Sequence, residues 1–295
     1  MHTSFTGVWV PIVTPLLAGD AASIDHPALA RLAQHLATQG ISGLVVAATT
    51  GEGILLQPGE QDALLATLRA AVPQLPLVMG LSTASTHDAV ARARVLSRLR
   101  PDGLLVTPPL YVRPSQDGIR RHLEAVTESA DLPVLVYNIP YRTGCQVELE
   151  TLQQLAQDPR VVGIKECGGS QERMQRLVNE TSLRILSGDD AQNFMALCLG
   201  AHGVIAASAH VMPHWHVQMQ ALIRDNQWHQ ARDIADALQP VIRDLFAEPS
   251  PAPLKALLHA DGWCAPEVRM PFVPVSADLH ARLMTQRQAL LSSAF

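Results

Sequence analysis

The feature that most constrains this chain is a repeated alternation of two periodicities. Short, almost unbroken apolar runs recur: GVWVPIVTP from Gly7, GLVVAATT from Gly43, PLVMGLS from Pro76 and GLLVTPP from Gly103. They continue with PVLVYNIP from Pro133, VVGIKE from Val161, RILSGDD from Arg184 and GVIAAS from Gly203. A strand with one face in water alternates apolar and polar residues, whereas a run apolar throughout is buried on both faces, as parallel sheets require. Between the runs lie helix-period stretches. In PALARLAQHLATQG, Leu29, Leu32, Ala33 and Leu36 share one face and Gly40 offers a C-terminal stop. PGEQDALLATLRAAV, THDAVARARVLSRL, QDGIRRHLEAVTES, VELETLQQLAQ, QERMQRLVNE and DAQNFMALCLG read the same way.

Eight strand–helix units leave a doubly wound sheet or a (β/α)8 barrel, and no GxGxxG follows the first strand. The sequence therefore predicts an α/β fold, a (β/α)8 TIM barrel over 1–209. After Ser208 the strand signals stop. Residues 211–247, 252–262 and 277–292 read as helices separated by EPSPAP and MPFVPVS, a C-terminal helical extension over 210–295.

Composition narrows the function classes. The chain is 47% hydrophobic and 17% charged with a net charge of −5, which suits a globular domain and argues against disorder. No basic stripe with interleaved aromatics suggests nucleic acid, and no polybasic amphipathic segment suggests a membrane surface. No apolar run approaches the roughly 18 residues that a transmembrane helix needs. The start, MHTSFTGVWVPIVTP, lacks the charged region and continuous apolar stretch of a signal peptide. Cys145, Cys167, Cys198 and Cys264 show no CxxC spacing, which fits reduced thiols in a cytoplasm.

Of 22 basic side chains only two are lysines, Lys165 and Lys255. A lysine kept against such a bias is a candidate for chemistry that arginine cannot do: it can lose its proton and attack a carbonyl. Lys165 ends the sixth apolar run, and barrel enzymes build their sites at the C-terminal ends of strands. Thr49, Thr50, Ser82, Thr83, Tyr137, Asn138, Glu166 and Ser187 to Asp190 collect at the same rim. An unperturbed lysine titrates near pKa ~10.4, and burial can lower that by roughly 3–5 pH units. The free amine then condenses with a ketone, and the iminium is an electron sink for an enamine. The plain alternative is a lysine that snorkels or pairs with adjacent Glu166. Tyr137, at the end of the neighbouring strand, is placed as its proton-transfer partner.

TTGE at 49–52, YNIPYRTG at 137–144, GIKE at 163–166 and LSGDD at 186–190 carry a resemblance over almost the whole chain. The sequence resembles the dihydrodipicolinate synthase/N-acetylneuraminate lyase superfamily. The resemblance implies a lyase with no metal and no separate cofactor, only a covalent Schiff base of pyruvate on Lys165. It matches Tyr137 to the proton-shuttling tyrosine, and Thr49 and Tyr111 to its relay, Tyr111 reaching in from a neighbouring subunit. Thr50 and Gly51, with nearby backbone amides, match the cradle for the pyruvate carboxylate, and Ile205 lines the pyruvate pocket. A homotetramer built as a dimer of dimers is implied by the same route.

Arg142, in PYRTG, separates the branches. In the dihydrodipicolinate synthases an arginine here takes the carboxylate of L-aspartate semialdehyde, and RPSQDG at 113–118 points the same way. The implied reaction joins pyruvate to that aldehyde, giving 4-hydroxy-tetrahydrodipicolinate in lysine and diaminopimelate biosynthesis. Departures border the aldehyde side: TPPLYVRPSQ carries one extra residue, and KECGGS stands where KEATG is common. Cys167, two past Lys165, is expected buried beside the site and not a nucleophile. Pro58 or Gln61, Ala84, Asp88 and Leu110 replace the residues of a lysine-feedback site, so lysine insensitivity is expected. Three other readings stay open here. They are a metal aldolase using His202, His210, His214 and His216, a catalytically silent ligand-binding paralogue, and a Schiff-base lyase for sugar acids or other 2-oxo acids.

Overall fold

The computed structural model describes residues 4–293. Eight parallel strands close a barrel in strict sequence order: β1 (Gly7–Pro11), β2 (Gly43–Val46), β3 (Leu77–Leu81), β4 (Gly103–Val106), β5 (Val134–Asn138), β6 (Val161–Glu166), β7 (Arg184–Ser187) and β8 (Gly203–Ile205). All eight apolar runs of the sequence are barrel strands. Their continuous character has the predicted cause, since alternate residues face two different cores. Val8, Val10, Leu44, Val46, Leu104, Val136 and Ile164 pack outward against the helices. Trp9, Val45, Val78, Leu105, Leu135, Leu186 and Ile205 fill the barrel itself. Phe5 and Trp9 stack with ring centroids 5.6 Å apart. They press on the first residues of β4 and β2, closing the N-terminal end.

The helices between strands are α1 (His26–Thr38), α2 (Pro58–Ala71), α3 (Thr86–Leu99), α4 (Gln116–Ala130), α5 (Leu149–Leu155), α6 (Gln171–Glu180), α7 (Asn193–Cys198) and α8 (Pro213–Arg224). Their starts carry the expected caps. Asp25, Ser85, Ser115 and Ser170 each accept from an amide of the first turn, satisfying a donor that the helix cannot. Gly40, at φ +82°, follows the end of α1 as predicted.

The helix read over 211–247 is two helices, α8 and α9 (Trp228–Leu245). The break falls at Asn226, whose φ of +60° ends the repeat without a glycine or proline. Helix α8 takes the barrel's eighth place, against β1 and α7. Helices α9, α10 (Ala252–Ala260) and α11 (Ala277–Ser292) then pack on one another as the extension. A two-stranded ribbon, Leu16–Leu17 with Asp20–Ile24, was not visible in the sequence because its pairing is short and irregular, one strand being only two residues long. No helix among the described residues is long and apolar enough to cross a membrane.

Candidate active site

β5 and β6 pair in a register that sets Tyr137 opposite Lys165. Both side chains turn into the barrel at its C-terminal end and are 4% and 5% exposed. Lys165 Nζ donates to Tyr137 Oη at 3.3 Å and lies 4.4 Å from the ring centroid. Tyr137 Oη is 3.4 Å from Thr49 Oγ1, beyond the end of β2. Three predicted residues thus form one chain of polar atoms across three elements.

Glu166 points the other way, as strand alternation demands. Its carboxylate accepts from Asn138 Nδ2 at 2.8 and 3.0 Å and from the Gly168 amide at 2.8 Å. Arg173 completes the pairing at 3.1 Å. The lysine is therefore neither snorkelling nor bridged to its neighbour.

Close packing holds Lys165 in place. A Cβ on Gly188 would lie 2.5 Å from Lys165 Cε and 2.3 Å from Cys167 Sγ, so only glycine fits between them. Gly188 was hidden inside LSGDD; its one signal was a glycine directly past a strand end. Cys167 is buried as expected, and burial pushes its thiol up to about 12, which keeps it protonated.

Burial opposes the charge on Lys165, while anionic forms of Tyr137 and Cys167, with Asp190, raise its pKa above the ordinary value. Tyr137 is itself raised by burial and Cys167 likewise, so both are neutral at pH 7 and that support is missing. The hydrogen bond to Tyr137 Oη and the charge of Asp190 then remain against burial, which is the largest single effect. The amine is accordingly easier to deprotonate at neutral pH than a lysine among ionised neighbours.

The turn after β2 carries Thr49, Thr50 and Gly51. Ala47 and Glu52 sit at φ +53° and +56°. The Glu52 amide donates to the Thr49 carbonyl at 3.1 Å and the Gly53 amide to that of Ala48 at 3.0 Å. A Cβ on Gly53 would meet the Ala47 carbonyl at 1.7 Å, so the tight turn requires glycine there. Thr14 Oγ1 donates to the Gly51 carbonyl at 2.7 Å, and Thr50 is buried. Glu52 is buried too. Its Oε1 takes Lys255 Nζ at 2.5 Å and its Oε2 takes the Arg269 amide at 2.7 Å. Sequence reasoning missed Glu52 and Arg269 and gave Lys255 no role, although the lysine count had singled it out.

Above this floor is a cavity of about 470 Å³, lined by Thr49, Thr107, Ile139, Arg142, Tyr111 and Phe272 among others. Its volume suits a small ligand. Lys165 and Tyr137 are not on its walls; Thr49 joins it to them. Arg142 sits on a single helical turn, Pro140–Thr143, with its guanidinium 5.8 Å from the Tyr141 ring centroid. Among the described residues no carboxylate pairs with it. Ile205 is buried in the same inner barrel cluster as Tyr137. Tyr111 is 91% exposed at the cavity's edge and makes no hydrogen bond to Thr49 or Tyr137 of its own chain.

The histidines disperse. His202 Nδ1 accepts from the Ile185 amide, and His210 spans the Val13 amide and the Ala207 carbonyl. Burial lowers both His210 and His216 to about 4. Among the described residues no three His, Cys, Asp or Glu side chains gather as a metal site.

The sequence matches the model of the dihydrodipicolinate synthetase family over residues 4–290. The chain belongs to this family. A 4-hydroxy-tetrahydrodipicolinate synthase of Parasynechococcus marenigrum is 37% identical over 293 residues, covering 98% of this chain and 96% of that protein. A dihydrodipicolinate synthase structure from Bacillus anthracis superposes with a TM-score of 0.94 at 28% identity, covering 99% of both chains. A monomeric dihydrodipicolinate synthase variant superposes with a TM-score of 0.93 at 32% identity, covering 98% of both chains.

Proposed function

We propose that this family member condenses pyruvate with L-aspartate semialdehyde to form 4-hydroxy-tetrahydrodipicolinate. The observation that carries the reading is the buried Lys165–Tyr137–Thr49 chain at the C-terminal mouth of the barrel. The names borne by its relatives agree.

Lys165 Nζ adds to the ketone carbon of pyruvate and expels water, forming the iminium. Tyr137 Oη passes the protons of these steps, with Thr49 behind it. The iminium draws off the electrons of a methyl C–H bond, and the enamine forms a C–C bond with the aldehyde carbon. The amine of the new chain then displaces Lys165 Nζ and closes the ring, returning the lysine. No separate cofactor enters this scheme. Thr50 and Gly51 hold the pyruvate carboxylate, Ile205 packs against pyruvate, and Arg142 takes the semialdehyde carboxylate bidentately.

Tyr111, turned away from its own relay, completes that of a neighbouring copy in a dimer, and dimers pair as a tetramer. Exposed Ile54, Val112 and Met270 beside or near the same rim support an interface there. The solved monomeric variant shows that assembly differs within the family. A cytoplasmic location agrees with four free thiols. Feedback by lysine is absent from this reading, since Pro58, Gln61, Asp88 and Leu110 line the cavity there; sub-millimolar inhibition by lysine would contradict it.

The test is a steady-state assay with pyruvate and the semialdehyde beside a panel of sugar acids, with borohydride trapping of pyruvate on Lys165. Turnover with the semialdehyde above all other acceptors is expected. Trapping without such turnover would move the chain to another acceptor, and no trapping would overturn the Schiff base.

A further inference from the structure

Lys255 lies in helix α10 of the extension, 203 residues from Glu52, and is 0% exposed. Its single nitrogen serves two acceptors, Glu52 Oε1 at 2.5 Å and the Glu267 carbonyl at 2.8 Å. Arg269 finishes the work on the other carboxylate oxygen through its amide. Its guanidinium then reaches the carbonyls of Ala21, Ala22 and Leu55 and the carboxylate of Glu60. The stretch from Lys255 to Arg269 is thereby stapled to the β2 turn, the ribbon and α2.

A buried ion pair is a poor source of stability, because desolvation consumes much of the attraction. Burial accordingly holds Lys255 below its ordinary pKa despite Glu52. What such a pair does well is fix one arrangement. Glu52 needs fixing: its positive φ is unfavourable for a residue with a Cβ, so the turn does not keep this shape unaided. The Glu52 amide holds the Thr49 carbonyl, and Thr49 Oγ1 meets Tyr137. A shift of the carboxylate is therefore a shift of Thr49, Thr50 and Gly51.

Given the pyruvate reading above, on which this rests, we propose that Lys255 and Arg269, acting through Glu52, are positioning residues for pyruvate. They hold the Thr49–Gly51 turn in the form that receives the carboxylate, making the C-terminal extension part of the substrate site. Neither touches pyruvate.

The experiment compares wild type with Lys255→Met, Lys255→Arg and the double variant Glu52→Gln/Lys255→Met. The double variant strands no charge and is the control for folding. Pyruvate KM, semialdehyde KM, kcat, borohydride trapping and melting temperature are measured together. Lys255→Met and the double variant are expected to raise pyruvate KM about tenfold or more, as small misplacements at a binding turn do. The semialdehyde KM should change less than threefold, on the same scale of about 1.4 kcal/mol per decade. Lys255→Arg, keeping the charge but not the fit, should fall between. A lowered melting temperature with pyruvate KM within about twofold of wild type would make the pair purely structural and overturn the proposal. Failure of both Met-bearing variants to fold would overturn it too, by making the pair a requirement of the fold. Wild-type protein that never traps pyruvate would remove the underlying reading and the proposal with it; trapping in wild type with unmoved variants would remove the proposal alone.

Discussion

Adding one methyl group at Gly188 places a new atom 2.5 Å from Lys165 Cε, 2.7 Å from Lys165 Cγ and 2.3 Å from Cys167 Sγ. Ordinary carbon contacts settle at about 3.5–4.0 Å, so the lysine stem must retreat by roughly 1 Å or the β7 end must lift. Overpacking of this kind costs about 1–3 kcal/mol of stability. The catalytic effect should be the larger one, because a displacement of about 1 Å at a reacting group costs about 100-fold in rate. That corresponds to about 2.7 kcal/mol at the barrier. Gly188→Ala is therefore predicted to fold, to melt a few degrees lower, and to lose about two orders of magnitude in kcat/KM and in the rate of pyruvate trapping. Stopped-time borohydride trapping read by mass spectrometry, beside a melting curve, makes the measurement. A variant that traps pyruvate within threefold of the wild-type rate would refute the reasoning, since the lysine would then have a second productive position.

Arg142→Ala should raise the semialdehyde KM by about 10- to 100-fold, as loss of a bidentate carboxylate contact does, and leave pyruvate trapping unchanged; loss of trapping would place Arg142 on the wrong substrate. Mixing inactive Lys165→Ala with weakened Tyr111→Phe subunits should restore about a quarter of wild-type activity, because half of randomly formed dimers carry one complete site. No recovery after subunit exchange would deny Tyr111 a role across the interface. Acid should unfold the protein through its buried histidines. His122, His210 and His216 are held neutral by burial, each lowered from 6.5 to about 4. The unfolded chain takes up their protons as pH falls below 6.5, so their stability contribution is complete above that pH and is lost down to about 4. At roughly 1.4 kcal/mol per pH unit, each histidine accounts for about 3 kcal/mol over the window. A melting temperature flat between pH 6.5 and 4.5 would refute this.

The barrel was legible because its strands are buried on both faces, which leaves no polar residue to blur the apolar runs. Lys165 was legible by contrast, as a rare lysine closing such a run. Its partnership with Tyr137 was legible from two neighbouring strand ends, but the contact itself was not, since a separation of 28 residues says nothing of register. Register comes from β5 and β6 pairing, and the motif resemblance added the relay residues Thr49 and Tyr111. The turn at Asn226 escaped because asparagine tolerates a positive φ without the glycine that advertises one. Gly188 and the Glu52–Lys255 pair escaped for a different reason. Both are requirements of space and charge between elements distant in sequence, and no local pattern encodes them.

The packed interior of the barrel has a consequence for traffic. Phe5 and Trp9 stack at the far end and apolar side chains fill the middle, so among the described residues the lysine is closed off from that side. In the proposed reaction, pyruvate then has to reach Lys165 from the mouth side, past the place where the aldehyde is held. On the same reading, the water released at the lysine and the ring formed above it leave towards the mouth. A packed barrel floor would in that reaction set the order of arrivals and departures by shape, ahead of any preference the side chains express.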